Sequence, residues 1–351
     1  MPAIDEMLRF LVEQQGSDLH LMCGARPLIR VHGDLRRLEF GDGDSTLTPE
    51  VNRGLIYEML TDDQIHHFEA TGDLDLAYEI EGLARFRVNV HEQINGPSTV
   101  MRAIPTDIAT VDELDLPNQL KEIAQFSSGL ILVTGPTGSG KTTSLAAMIS
   151  QINHEREGHI ITIEDPIEFV HNNNKCLITQ HEVGVHTNSF SAALRVALRQ
   201  DPDIILVGEL RDLETIALAL TAAETGSLVF GTLHTNSAAK TINRIIDVFP
   251  NKAQNQIRTL LSECLSSVIA QTLLKRSDGN GRVAAMEIMI CNSAIKNAIR
   301  ENKIEQIISI IQTSSGEGMQ MFDDHMLKLV EQSKITLDTA REGAFEKHRF
   351  N

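Results

Sequence analysis

The apolar and polar positions of this 351-residue chain follow two different patterns along its length. Up to about residue 100, helical spacing and strand alternation are mixed: residues 4–14 repeat their apolar positions as an amphipathic helix does, whereas residues 85–91 alternate like a strand. After about residue 119, apolar runs alternate with helical stretches; the runs are residues 130–134, 160–164, 204–207 and 228–233. This second pattern predicts a mostly parallel sheet covered by helices.

A stretch punctuated by prolines separates the two patterns. Between residues 104 and 118 the chain is polar between short apolar steps, with Pro105 and Pro117 near the two ends. We therefore predict an α/β domain over residues 1–103, a linker over 104–118, a second α/β domain over 119–290 and a region of short helices over 291–351. A chain of this length can supply each of two domains with its own core.

One motif, directly after the apolar run that begins at residue 130, carries the strongest chemical signal. It matches Gly-x-x-x-x-Gly-Lys-Thr, with a predicted strand before it and a predicted helix after it. Glycines let the backbone wrap an anion, so that N–H groups and the helix N-terminus point at phosphate oxygens. We expect ATP to bind here, with Lys141 at the β- and γ-phosphates and Thr142 holding Mg²⁺. The predicted nucleotide-binding residues of this loop are Gly135, Pro136, Thr137, Gly138, Ser139, Gly140, Lys141, Thr142 and Thr143.

Acidic residues and one histidine follow the other apolar runs of the second domain. Glu164 ends the second run and Asp165 and Glu168 follow it, Glu209 follows the third run and His234 follows the fourth. In an open parallel sheet these positions meet at the carboxyl edge, where ligands bind. We therefore expect several acids and one histidine beside the bound triphosphate.

Glu209 is the candidate for polarising or deprotonating the attacking water. Gly208 precedes it where many phosphate-loop enzymes have an aspartate, so Mg²⁺ is expected to rely on Thr142, the phosphates and waters. Glu164 and Glu168 are further candidates for the site. Acids at strand ends also cap turns or pair with arginines, which is the alternative for these two residues.

Groups that donate hydrogen bonds to the phosphates would complete the site. His234 is expected to bind the γ-phosphate or the water, and the alternative is a solvated histidine at a strand end. Arginines outside the loop often supply positive charge in phosphoryl transfer. Arg85 and Arg87 share the polar face of their predicted strand, and Arg102 is a third candidate; the alternative is a solvated basic face.

Composition limits the partners and the compartment. The formal net charge of −17 and the pI near 5.2 argue against nucleic acid as the main partner, since such binding depends on clustered Lys and Arg. No run is apolar and long enough to cross a bilayer and no export signal is recognisable, so we expect a cytoplasmic protein. The four cysteines are far apart in the sequence and form no Cys-x-x-Cys pair.

Four motifs in the same order resemble those of the secretion ATPase superfamily. They are the loop at 135–143, Ile-Glu-Asp-Pro-Ile-Glu-Phe at 163–169, the stretch from Asp-Pro-Asp to Glu-Leu-Arg-Asp at 201–212, and Gly-Thr-Leu-His-Thr at 231–235. Within that superfamily the chain is similar, over nearly its whole length, to the ATPases that retract type IV pili. The resemblance implies a PAS-like N-terminal domain, a RecA-like ATPase domain with a helical C-terminal end, and a homohexamer with nucleotide between the two domains.

The resemblance also implies roles for the site residues. In that family the acidic segment at 164–168 is functional, Glu209 corresponds to the catalytic glutamate, and His234 falls in the histidine box. Arg85, Arg87 and Arg102 fall near the N-domain arginines that approach the nucleotide.

The implied mechanism is a rotation of one domain against the other around the linker at 104–118. ATP would favour a closed arrangement, because the arginines and the phosphate loop lie on different predicted domains. The resemblance alone implies the partner, an inner-membrane pilus platform protein. The motor would then work peripherally at the cytoplasmic face of the inner membrane, at the pilus base, in twitching motility.

The chain departs from the family pattern at three positions. Ser227 stands where a histidine is usual, and Lys296 and Ala298 replace an arginine and a leucine in the stretch 294–301 that is associated with retraction. Extension motors typically carry a further N-terminal domain and a four-cysteine zinc insert, which are not found in this sequence, so retraction is expected. An accessory retraction paralogue stays open, and so do a nucleic-acid translocase and a scaffold that binds ATP without cleaving it.

Overall fold

The structure, a computed structural model, describes residues 3–31, 34–38, 46–104, 108–279 and 281–350. The chain divides into two compact units, Met1–Asp107 and Ile108–Asn351. This division falls inside the predicted linker, of which residues 105–107 lie outside the described ranges. Val111 and Leu116 are buried in a core of the second unit, so the later part of the stretch packs as the beginning of that unit. The bounds of the four predicted segments themselves stay a prediction.

The first unit is an α/β domain built on an antiparallel sheet of six strands. Its strands are β1 (Gly16–Leu21), β2 (Leu28–Val31), β3 (Asp34–Arg37), β4 (Asp73–Ile80), β5 (Ala84–Gln93) and β6 (Gly96–Ile104). Its helices are α1 (Ala3–Glu13), α2 (Pro49–Tyr57) and α3 (Asp62–Thr71). The strand order is β3-β2-β1-β6-β5-β4. The helix at 4–14 and the strand at 85–91 that periodicity predicts are both present.

Strand β5 shows that this sheet has one buried face and one open face. Phe86, Val88 and Val90 are fully buried in the core of the first unit. Arg85 is half-buried and Arg87 is exposed. Because successive side chains of a strand point to opposite faces, the two arginines lie on the face away from this core, as the alternation predicts.

The second unit is built on a sheet of seven strands. They are β7 (Gly129–Thr134), β8 (Gly158–Glu164), β9 (Cys176–Glu182), β10 (Ile204–Val207), β11 (Leu228–Leu233), β12 (Leu265–Lys275) and β13 (Arg282–Ile290). The order is β13-β12-β7-β11-β10-β8-β9, and every neighbouring pair is parallel except β12 with β13. The four strands that the sequence predicts form the centre of this sheet. Strands β9, β12 and β13 were not predicted.

Helices cover both faces of the second sheet. They are α4 (Gln119–Ala124), α5 (Lys141–Glu155), α6 (Phe190–Ala197), α7 (Leu213–Glu224), α8 (Ala238–Asp247), α9 (Asn251–Cys264), α10 (Ser293–Arg300), α11 (Gln306–Thr313), α12 (Phe322–Glu331) and α13 (Leu337–Gly343). Alternate residues of β7 enter two different cores: Leu130 and Leu132 pack on one side, Ile131 and Val133 on the other. Strand β7, which leads into the phosphate loop, is therefore packed on both faces.

Candidate nucleotide site

The predicted phosphate loop lies between β7 and α5. Helix α5 begins at Lys141, and Gly140 precedes it with a φ of 84°, in the left-handed region. Gly135 and Gly138 also have positive φ angles, of 148° and 77°. A Cβ at Gly135 would lie 2.2 Å from the backbone oxygen of Gln271, so this position also excludes a side chain by space. The glycines therefore allow a tight, bare backbone at a helix N-terminus, where phosphate oxygens bind.

Lys141 is bound to the loop to which it belongs. Its Nζ donates to the backbone oxygen of Gly135 at 2.8 Å and to that of Pro136 at 3.1 Å. Burial lowers the pKa of Lys141, whereas the nearby carboxylates of Glu209 and Glu168 raise it. An ammonium held by neutral carbonyls gains stronger, charge-assisted bonds when phosphate oxygens replace them. The Lys141 ammonium therefore already lies at the phosphate loop, where the motif requires it.

Parallel pairing brings four strand ends to one edge of the second sheet. Val207 is in register with Gly231 on one side and with Ile163 on the other, and Leu233 is in register with Thr134. The residues that follow these strands emerge at the edge where the phosphate loop lies, as the sequence predicts. The sheet therefore brings together the loop, the acids and the histidine.

Glu209 is the centre of a charged cluster at this edge. Its Oε1 lies 3.2 Å from Nε2 of His234, and its Oε2 lies 2.7 Å from a guanidinium nitrogen of Arg211. The Glu209 side chain is 18% exposed, against 64% for Arg211 and 49% for His234. The hydrogen bond from Arg211 holds the pKa of Glu209 below its usual range, against burial, and His234 adds to the lowering. At neutral pH this carboxylate is ionised and can accept a proton from water.

Glu164 has an environment unlike that of Glu209. Its side chain is buried, and its Oε1 accepts hydrogen bonds from the Thr162 hydroxyl at 2.7 Å and from the Gln180 amide at 3.3 Å. Burial raises the pKa of Glu164. Glu168 is exposed, and its charge reaches Lys141. Glu164 is thus built into the sheet, and Glu168 is the one of the two that is open to solvent; the catalytic part of both stays a prediction.

The remaining loop residues differ in exposure. Pro136, Thr137 and Gly138 form an exposed tip, and Thr142 and Thr143 are half-buried in the first turn of α5. Among the residues that the structure describes, no group of three or more His, Cys, Asp or Glu is placed to hold a metal ion. A hydroxyl at the start of a helix, without a carboxylate cage, suits an ion that is bound mainly by phosphates and water.

Two residues at the site were missed by the sequence reasoning. Arg211 lies two residues after Glu209, and a base that close to an acid on a turn could have suggested the ion pair. Gln271 of β12 donates from its amide nitrogen to the backbone oxygen of Ser139 at 2.7 Å and accepts at its amide oxygen from the Ser144 hydroxyl at 2.9 Å. The sequence near Gln271 carries no signal for this second contact, because its partners lie 132 and 127 residues away.

The strand next to β12 reaches the segment that follows His234. Glu287 of β13 is buried, and its carboxylate accepts the backbone N–H of Ala238 at 2.7 Å, at the beginning of α8. Burial raises the pKa of Glu287, and the bond from Ala238 opposes that change. The hairpin formed by β12 and β13 therefore contacts both the phosphate loop and the start of α8.

The three predicted arginines lie on one face of the first unit. Arg87 of β5 is in register with Arg102 of β6, and Arg102 is in register with Asp18 of β1. Nε of Arg102 donates to the Asp18 carboxylate at 2.8 Å, although the arginine side chain is 68% exposed. The alternation predicts the shared face of Arg85 and Arg87, and the register of β5 with β6 adds Arg102 to it. The approach of Arg85, Arg87 and Arg102 to a nucleotide stays a prediction.

A family model described as type II/IV secretion system protein matches residues 2–341. The chain belongs to this family. It is 52% identical to the type IV pilus retraction ATPase PilT of Pseudomonas aeruginosa over 341 residues. This match covers 97% of this chain and 98% of the relative. It is 38% identical to the type IV pilus ATPase PilU of the same organism over 336 residues. This match covers 96% of this chain and 87% of the relative.

A solved structure gives the same result for the fold. The crystal structure of the pilus retraction motor PilT with bound ADP matches with a TM-score of 0.91 at 44% identity, over 98% of this chain and 97% of that chain. The comparisons confirm the predicted α/β fold class, with a RecA-like secretion ATPase fold and a helical C-terminal end. They also confirm an ATPase of the secretion type. Within the described part of the chain, no helix is long and apolar enough to cross a membrane.

Proposed function

We propose that this protein is the ATP-hydrolysing motor that retracts type IV pili and so powers twitching motility. The observation that carries the proposal is the 52% identity to a pilus retraction ATPase over 97% of this chain and 98% of the relative. The site is consistent with such a motor, because a phosphate loop, an ionised glutamate and a histidine share one edge of the sheet.

The retraction motor is favoured over two related roles. Identity to the PilU relative is 38%, well below the 52% to PilT, so the paralogue is the weaker match. An extension motor of the superfamily would typically carry a four-cysteine zinc insert. The four cysteines of this chain are free thiols at Cys23, Cys176, Cys264 and Cys291, spread over both units.

The proposed chemistry follows from the charges at the site. The Lys141 ammonium would leave the backbone oxygens of Gly135 and Pro136 and bind oxygens of the β- and γ-phosphates. The N–H groups of the loop would bind the remaining phosphate oxygens. Glu209 would orient the attacking water and take its proton. His234, in contact with Glu209, would donate to the γ-phosphate and so distinguish ATP from ADP.

The residues present fit Mg²⁺ bound largely by the nucleotide. The Thr142 hydroxyl would be its ligand from the loop, and the position before Glu209 is Gly208, which supplies no carboxylate. Mg²⁺ keeps several waters in such sites. When bound, the ion would neutralise charge that develops on the phosphates.

We further propose that the motor is a homohexamer in which both units contribute to each nucleotide site. Arg85, Arg87 and Arg102 would supply positive charge to the phosphates from the first unit. ATP would then favour a closed arrangement of the units, and loss of the γ-phosphate would weaken that preference. The resulting rotation would act on a pilus platform protein at the cytoplasmic face of the inner membrane, and no nucleic acid would be involved.

Deletion of the gene tests the direction of work. The expected result is an excess of surface pili that do not retract, with loss of twitching, both reversed by the wild-type gene and not by a Glu209→Gln copy. Bald cells would point to extension instead. Cells with normal pili and normal twitching would overturn the proposed function.

A further inference from the structure

The side-chain amide of Gln271 bridges the two ends of the phosphate-loop turn. Its nitrogen donates to the backbone oxygen of Ser139 at 2.7 Å, and its oxygen accepts from the hydroxyl of Ser144 at 2.9 Å. Gln271 and Ser144 are 3% and 2% exposed, so neither bond competes with bulk water. Bonds between buried groups of this kind are costly to break, because each lost partner leaves a desolvated polar atom.

The bond to Ser139 sets the direction of a peptide group that the nucleotide needs. A trans peptide is planar, and its C=O and N–H point to opposite sides. When Gln271 holds the oxygen of Ser139 towards β12, the N–H of Gly140 on the same peptide points away from β12. Gly140 is the residue before α5, so this N–H belongs to the helix N-terminus that receives phosphate.

Two glycines of the motif leave no room for a side chain against this strand. A Cβ at Gly140 would lie 2.9 Å from the Gln271 amide nitrogen, and a Cβ at Gly135 would lie 2.2 Å from the Gln271 backbone oxygen. Two of the three glycines of the loop are therefore in close contact with one residue of β12. Gly138, at the exposed tip, has open space around it.

An amide is the group that can make both bonds at once. The oxygen of Ser139 needs a donor, and the hydroxyl of Ser144 needs an acceptor in the orientation seen here. A glutamine side chain offers both from one planar group, whereas a carboxylate offers acceptors alone and a methionine offers no donor and only a weak sulfur acceptor. The residue type at position 271 is therefore specified by the loop.

We propose that Gln271 is a positioning residue for nucleotide binding: its amide holds the phosphate loop in the conformation that receives the phosphates. This inference rests on the proposed function, because it assigns the loop to ATP and ADP. Gln271 itself contacts the loop backbone and α5, not the reacting atoms.

The experiment measures the affinity of the purified full-length protein for a fluorescent ADP and its ATP turnover. We expect Gln271→Met, which has a similar volume but no donor for the oxygen of Ser139, to bind ADP about tenfold more weakly. The KM for ATP is expected to rise by a similar factor, with kcat changed less than about threefold. A variant that folds like the wild type and binds ADP within about twofold of it overturns the proposal.

Gln271→Glu distinguishes hydrogen bonding from packing, because the two side chains have nearly the same shape but an ionised carboxylate cannot donate a hydrogen bond. At pH 8 its ionised carboxylate cannot donate to the oxygen of Ser139, so ADP affinity should fall below that of the wild type. At pH 6 a buried carboxyl that has taken up a proton can donate again, and the ratio to the wild type should recover. A Gln271→Glu variant that binds ADP at pH 8 within about twofold of the wild type overturns the proposal, and this test also decides the case if Gln271→Met does not fold.

Gln320 provides the matched control. It is a buried glutamine of the second unit whose amide nitrogen donates to the backbone oxygen of Met286 at 3.1 Å. Gln320→Met should lower thermal stability and leave ADP affinity unchanged; an equal loss of affinity would overturn the proposal. The two proposals are separable, because wild-type protein without ATP turnover would contradict the motor, whereas the role of Gln271 is judged by ADP affinity alone.

Discussion

Oε1 of Glu209 lies 3.2 Å from Nε2 of His234. An ionised carboxylate can accept a hydrogen bond but cannot donate one, so the hydrogen must sit on Nε2 of the histidine. A hydrogen bond in this contact would therefore use the donor capacity of Nε2. A γ-phosphate that accepted from the same nitrogen would therefore compete with Glu209, the residue that we propose as the base.

The first prediction concerns Glu209. Glu209→Gln keeps the shape of the side chain and removes the proton acceptor, so ATP turnover should fall by about 100-fold or more. ADP affinity should stay within about threefold of the wild type, since binding depends on the loop. Phosphate release and fluorescent-ADP binding on the same preparations check both statements; unchanged turnover would show that another group acts as the base.

Comparing Lys141→Ala with Glu209→Gln distinguishes a residue needed for nucleotide binding from one needed for hydrolysis. Lys141→Ala lacks the ammonium that is stored on the backbone oxygens of Gly135 and Pro136. We expect it to lose both ATP turnover and nucleotide affinity, in contrast to Glu209→Gln. Full activity of Lys141→Ala would mean that the nucleotide binds elsewhere.

The second prediction concerns the pH dependence set by Arg211. Its hydrogen bond lowers the pKa of Glu209, so the base stays ionised to a lower pH than an ordinary glutamate would. Arg211→Ala should raise that pKa and move the acid limb of the pH–rate profile to higher pH. Arg211→Lys keeps the charge without the guanidinium geometry and should give an intermediate shift. Acid limbs that coincide in all three proteins would contradict the assignment.

The third prediction compares two glycines of the loop. Gly135→Ala must place a Cβ against the backbone of Gln271 at a φ of 148°, which L-residues rarely adopt. Gly138→Ala meets open space at a φ of 77°, where the strain is about 1 kcal/mol. ADP affinity should therefore be lost in Gly135→Ala and fall by no more than about tenfold in Gly138→Ala. Equal losses in the two variants would argue against the packing of the loop on β12.

The fourth prediction concerns acid stability. His325 is buried, its Nδ1 accepts the backbone N–H of Met286 at 3.0 Å, and burial lowers its pKa from 6.5 to about 4. Between these values the unfolded chain binds the proton and the folded chain does not, so the free energy of unfolding falls as the pH falls. His325 alone should cost about 2 kcal/mol between pH 7 and pH 5.

His325→Gln tests this cost, because an amide oxygen can accept the same N–H and does not titrate. Its urea-unfolding midpoint should change less between pH 7 and pH 5 than that of the wild type. His171, whose pKa burial also lowers to about 4, should keep part of the slope in the variant. A pH dependence identical to the wild type would show that His325 does not contribute.

Local patterns were enough to predict the centre of the ATPase unit. A strand that is buried on both faces reads as a continuous apolar run, and β7, β8, β10 and β11 all do so. Glycine spacing then located the loop, and the rule for parallel sheets placed Glu209 and His234 at its edge. These inferences needed no contact between distant parts of the sequence.

What could not be predicted depends on such distant contacts. Gln271 lies 132 residues from Ser139 and 127 residues from Ser144, and nothing near it in the sequence indicates either partner. Glu164 shows a different limit: the sequence gives its place at the end of β8 but not that Thr162 and Gln180 hold its carboxylate in the interior. Such details are set by tertiary packing.

The hairpin of β12 and β13 is a single ladder whose register runs without a shift from Ser267 and Ile290 to Lys275 and Arg282. Gln271 ties one of its strands to the phosphate loop, and Glu287 ties the other to the N-terminus of α8. Because one ladder carries both attachments, we expect the phosphate loop and the start of α8 to respond to nucleotide together. In hydrogen exchange, added nucleotide should therefore slow the amide of Ala238, which donates to Glu287, as well as the amide of Gly140 in the loop.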